Sequence, residues 1–309
     1  MCKPTTTTTS EALPPPDARL FLATVKDFGE DEYGRTPTVQ ARLFTIGVFV
    51  VFLIGVEQLC RQILLANVDF HPLLENETNR HILARHVGID FVSAAVVSYF
   101  GFNARHLTQD MIDKHLRGKK NAMPKTYENR LFQYHPESAR IILLFIGYQV
   151  KNSYDTLVWN DGALFIAHHI LAFGTAWGAL FPGAAHYYAP FYLGYSEIST
   201  AALCLLANFD DDFGVRGLAA AFPLTKVILG AIFAVSFIVC RVIIWTTHSV
   251  YYLQDVIACL KTDDPRIVGR KPWLQFTGFS LSLLSLLQII WLGEIFLTGK
   301  RELEAMGFL

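Results

Sequence analysis

From residue 43 onward the chain alternates long apolar blocks with short polar connections. Blocks over 43–59, 82–102, 141–159, 162–181, 187–209, 227–245 and 273–297 are each about as long as a helix needs to cross a ~30 Å hydrocarbon core. The pattern predicts an all-α membrane protein with about seven transmembrane helices. Its interruptions are as informative as its runs. Glu57 falls near the end of the first block, at a position suited to the interface. Arg85, His86 and Asp90 enter the first half of the second, where Arg85 and Asp90 can compensate each other. Lys151 and Asp155 enter the third four residues apart, on one helical face, where an internal ion pair makes them tolerable. The fifth holds Glu197 about midway. The sixth holds Arg241 four residues from its cytoplasmic end, in reach of the interface by snorkelling. The fourth carries His168 and His169 side by side with Gly174 and Gly178, whose spacing makes a face that a neighbouring helix can approach closely.

Composition supports the same class. Of 309 residues, 52% are hydrophobic and only 17% charged, more apolar than an average soluble domain. Residues 1–40, with TTTTTS and LPPPD, have the composition of a disordered tail rather than a signal peptide. The domain reading is therefore a cytoplasmic tail over 1–40, a first membrane helix over 41–60, a main helical domain over 82–297 and a C-terminal tail over 298–309. A net charge of −1 with scattered basic residues gives no nucleic-acid surface. Five cysteines show neither CxxC spacing nor a disulfide framework, and no ligand cluster predicts a metal or cofactor. Lys and Arg divide 17 to six between the two sides of the seven-helix arrangement, which places the N terminus in the cytoplasm and the C terminus in the lumen. The sequon Asn76-Glu77-Thr78 falls in the first lumenal loop.

Chemistry concentrates around the paired histidines. Intramembrane ionisable groups are costly and by default mark a cavity, a partner or a site. Asp161 and His168 are seven apart, two helical turns, and so project within about 20° of each other, while His169 points about 100° away. An imidazole positioned by a carboxylate can act as base or as nucleophile in acyl transfer. Glu197, Thr200, Cys204 and Asn208 form a polar stripe on the following helix. His168, His169, Glu197 and Asp161 are thus the candidate catalytic residues. A retinal pump or seven-helix receptor is excluded, because the last helix has no Schiff-base lysine and no NPxxY.

The succession GYQVKNSYDTLVW, an Asp separated by six residues from the paired histidines, GYSEIST, ANF and FIVCRVIIW resembles the TLC-domain family of membrane proteins. That family includes ceramide synthases and the translocating-chain-associated membrane protein. The resemblance spans most of the chain beyond the first helix. It implies a six-helix TLC-type bundle around a lipid-accessible cavity, with His168 and His169 matching the family's double histidine. In ceramide synthases those residues serve acyl-CoA-dependent N-acylation, which makes acyl-CoA a substrate the resemblance brings with it. Where ceramide synthases carry His-Asp-x-x-Asp, this chain has Tyr195, Ser196, Glu197, Ile198 and Ser199, which resembles the branch outside the ceramide synthases. The expectation is an integral membrane protein of the endoplasmic reticulum or another endomembrane, with membrane lipids as partners. It acts in lipid metabolism or homeostasis, as an acyl transferase or as a non-catalytic lipid-binding, lipid-sensing or protein-escort protein.

Overall fold

The computed structural model describes residues 38–119, 126–210, 212–262, 265–267 and 269–305, and among these it contains helices and connections but no strand. Most of the expected tail lies outside the described residues. Thr38 caps the first helix, its hydroxyl accepting from the Ala41 amide at 3.0 Å.

Among the described residues, five helices are long and apolar enough to cross a membrane. They are α1 (Val39–Ala66), α2 (Glu77–Asn103), α6 (Ala163–Phe181), α8 (Pro223–Leu260) and α9 (Lys271–Ala305). Between α2 and α6 come α3 (His106–Arg117), the single turn α4 (Tyr127–Phe132) and α5 (Pro136–Trp159). At 24 residues α5 is long enough to span, but it is not among these five most apolar helices. The outer faces expose Phe44, Val51, Val235 and Ile289, as expected where lipid is the solvent.

The block over 187–209 is not one helix, contrary to its apolar pattern. It is broken into a turn at Ala189–Tyr192, a 3-10 turn at Tyr195–Glu197 and α7 (Ile198–Leu206). The cause is a backbone contact. A Cβ on Gly101 of α2 would fall 2.3 Å from the Tyr195 nitrogen, and one on Gly194 would fall 2.6 Å from the Gly101 Cα. Two glycines let the chains touch there, and the helix yields. Irregular backbone survives at membrane depth only where protein or a cavity surrounds it. Tyr195, Ser196 and Glu197 are all buried.

The sixth block also differs, since α8 runs on to Leu260 rather than ending near Trp245. Its extension looks polar in sequence because Ser249 and Asp255 face protein. The Tyr192 and Ser249 hydroxyls lie 3.1 Å apart, and Asp255 accepts from Arg130 Nε at 2.7 Å and from the Tyr188 hydroxyl at 2.5 Å. Likewise α9 continues as helix through most of the expected C-terminal tail.

The small face of α6 meets α9, as its spacing predicts. A Cβ at Gly174 would lie 2.7 Å from the Phe276 ring, and one at Gly178 would lie 2.8 Å from the Trp273 ring. The Thr175 hydroxyl donates to Ser280 Oγ at 2.9 Å, which in turn donates to the Leu171 carbonyl at 3.2 Å. On the expected lumenal side, charges knit α1, α2, α5 and the α5–α6 connection. Lys151 binds Asp155 (2.5 Å) and Glu57 (3.3 Å), and Arg61 binds Glu57 (2.6 Å). Glu57 is therefore buried within an ion-pair network rather than placed at the interface.

Candidate functional site

A cavity open to its surroundings lies between α5, α6, α8, α9 and the broken segment, about 800 Å³ when the open solvent space at its mouth is included. Phe145, Ala172, Leu281 and Leu284 supply apolar wall, and His168, Glu197 and Arg241 supply its strongly polar groups. Along α6 the lining runs from His168 to Gly178, about 15 Å at 1.5 Å per residue. The lining is mostly apolar.

Arg241 sits in a widened π-type stretch of α8, Ile238–Ile244. The extra residue per turn turns its side chain inward, the kind of local device often found at functional positions. It does not snorkel. Arg241 is 7% exposed, and its Nη2 donates to Glu197 Oε1 at 2.6 Å and to Thr200 Oγ1 at 2.8 Å. Its Nε donates to Ser199 Oγ at 3.2 Å, and its guanidinium lies 5.4 Å from the Trp245 ring centroid. The break before α7 places Glu197 at the first helical turn, with Ser199 and Thr200 just beyond it. One local irregularity in each element thus brings acid and base together.

The histidines separate as adjacent helical positions must. His168 lines the cavity with its ring centroid 5.3 Å from that of Trp291, and its Nδ1 is buried without a hydrogen-bond partner. His169 turns toward α5, where its Nδ1 lies 2.9 Å from Gln149 Oε1. His168 and Glu197 share the cavity; His169 is absent from its lining. Glu197 spends its Oε1 on Arg241, and neither histidine has a hydrogen bond to it among the described residues.

Asp161 is placed elsewhere. Asn160 closes α5 in the left-handed conformation (φ 56°), and Gly162 at φ 105° holds a backbone that a side chain would strain, so α6 begins only at Ala163. Asp161 therefore lies off the helix and is gripped by Arg85, with Arg85 Nη1 at 3.1 Å from its Oδ1. The two-turn alignment with His168 does not form. Arg85 also approaches Asp90, its Nε 3.8 Å from Oδ2, so the compensation expected between those two is shared with Asp161.

Sequence reasoning passed over Arg241, Gln149 and Trp291. A single base and a single acid in neighbouring apolar blocks was the available signal for Arg241. Among the described residues, no group of three or more His, Cys, Asp or Glu side chains is placed to hold a metal ion.

An all-helical membrane protein with an apolar cavity and a buried polar end is the class that fold and site define. Residues 70–297 match the TLC domain of the TRAM/LAG1/CLN8 family, and the chain belongs to that family. Comparisons with curated proteins and with solved structures give no match.

Proposed function

We propose that the protein binds a membrane lipid in this cavity, with an acyl chain along the α6–α9 wall and a polar group at the Glu197–Arg241 end, and that it acts in membrane lipid metabolism or homeostasis. The observation that carries this reading is the cavity itself, a mostly apolar space closed at one level by a buried ion pair. The endoplasmic reticulum or another endomembrane is the compartment that goes with it. Mass spectrometry of lipids retained through purification tests the reading. An acyl lipid that cross-links to α6 or α9 from a photoactivatable chain supports it, and a protein that retains and cross-links no lipid overturns it.

One observation favours a second reading, acyl transfer from a donor such as acyl-CoA. His168 lines the cavity that would hold the acyl group; its Nδ1 is buried, and its Nε2 has no hydrogen-bond partner among the described residues and is not sealed away. In that role His168 acts as base or nucleophile, but Glu197 does not orient it, because that carboxylate is engaged by Arg241. Turnover of a radiolabelled acyl donor by wild type, His168→Ala, His169→Ala and Glu197→Gln decides between transfer and binding alone. Equal rates in all four remove the enzyme.

A further inference from the structure

We propose that the cavity selects lipids whose buried polar group is uncharged and offers both a hydrogen-bond donor and an acceptor, such as a hydroxyl beside an ester or amide carbonyl. The inference rests on the lipid-binding reading and names the class of ligand. Among the described residues, Glu197 and Arg241 are the only Asp, Glu, Lys or Arg side chains in the lining, and they neutralise each other at 2.6 Å. Each uses only part of its hydrogen-bonding capacity on protein. Nη2 and Nε of Arg241 are engaged by Glu197, Thr200 and Ser199, whereas Nη1 has no partner among the described residues. Glu197 accepts through Oε1, and its Oε2 likewise has none. Neither free atom is sealed away from a ligand.

A ligand therefore meets an acceptor and a donor side by side with no net charge behind them. A phosphate or carboxylate drawn to Nη1 must sit beside the Glu197 carboxylate, and an ammonium drawn to Oε2 must sit beside the Arg241 guanidinium. In either case like charges are brought together in a mostly apolar space, which disfavours the charged ligand. A hydroxyl or N–H donating to Oε2, with a neighbouring carbonyl accepting from Nη1, satisfies both atoms without that penalty. Rejection of charge is as much a part of this selectivity as attraction of the neutral group.

The test uses the purified full chain in detergent micelles and a photoactivatable monoacylglycerol as probe. It compares competition by 1-monooleoylglycerol and by lysophosphatidic acid of the same chain, which differ only in the phosphate. Wild type should be displaced by the monoacylglycerol at roughly tenfold lower concentration. Glu197→Gln leaves Arg241 uncompensated and should shift the ratio toward lysophosphatidic acid by about tenfold or more. The double variant Glu197→Gln/Arg241→Gln removes both charges and should return the preference to the neutral lipid, which separates charge balance from misfolding. Equal or better competition by lysophosphatidic acid in wild type, or one ratio in all three proteins, overturns the inference. Labelling of wild type by a photoactivatable lysophosphatidic acid but not by the monoacylglycerol probe also overturns the inference, whereas labelling by neither overturns the lipid-binding reading on which it rests.

Discussion

Glutamine at position 197 keeps an acceptor for Arg241 but removes the charge that compensates it. Both side chains of the pair are under one-tenth exposed, and breaking such a pair from one side costs about 3–5 kcal/mol because the other charge stays buried. Glu197→Gln is therefore expected to lower stability by about 3 kcal/mol, the low end of that range, since both side chains line a partly open cavity. Glu197→Gln/Arg241→Gln should recover most of the loss, a non-additivity that thermal unfolding of the purified variants measures. The two histidines should differ in the same assay. His169→Ala strips Gln149 Oε1 of its partner and is expected to cost about 1–2 kcal/mol, whereas His168→Ala removes a group with no hydrogen bond at Nδ1 and should change lipid retention more than unfolding. Equal losses of stability would contradict that division. What was legible at this scale followed separation along the chain. Lys151 and Asp155 pair as their four-residue spacing requires, but Glu197 and Arg241 are 44 residues apart and had been assigned separate roles. Spacing reports on one helix face. It says nothing about which face of the next helix comes opposite.

Among the elements, apolar length alone located the helices that appear as α1, α2, α6, α8 and α9, and small-residue spacing identified the α6 face that meets α9. It failed at the break before α7, where the contact between Gly101 and Gly194 overrides an apolar run that would otherwise be helical. Gly101→Ala should therefore be severe, because its new methyl meets backbone that cannot rotate away. Gly230→Ala in α8 is the matched control, with nothing within 4 Å of the added carbon, and it should be neutral or slightly stabilising. Comparable unfolding temperatures for the two variants would mean that the close crossing is not a constraint. At the start of α5, outside the spanning helices, burial pushes His135 down to about 4, with the nearby His106 charge adding to the effect. A histidine lowered in the fold takes up its proton more readily when unfolded, near pH 6.5. Its contribution is therefore complete above that pH and is lost as pH falls toward 4, by up to about 2 kcal/mol at pH 5. Wild type should melt at a lower temperature at pH 5 than at pH 7, and His135→Asn should flatten that slope.

For the whole molecule, orientation decides from which side the cavity is approached, and the asymmetry of basic residues is what predicts it. With 17 Lys and Arg on one side and six on the other, the N terminus and the 105–140 connection should face the cytoplasm and the end of α9 the lumen. The ion-pair network of Glu57, Lys151, Asp155, Arg85 and Asp161 then lies toward the lumen, and the Arg130–Asp255–Tyr188 contacts lie toward the cytoplasm, where Tyr188 also lines the cavity. The prediction requires an odd number of crossings. Five come from the long apolar helices, α5 gives a sixth, and the broken segment through α7 must carry the chain across once more. A protease-cleavable tag at the N terminus should be cut in sealed microsomes, while one after Ala305 should be cut only once the membrane is opened with detergent. If both tags are cut in sealed vesicles, the segment through α7 turns back without crossing. The mouth of the cavity and the polar pair at its end would then have to be assigned to the membrane sides anew, although the geometry of the pair itself would stand.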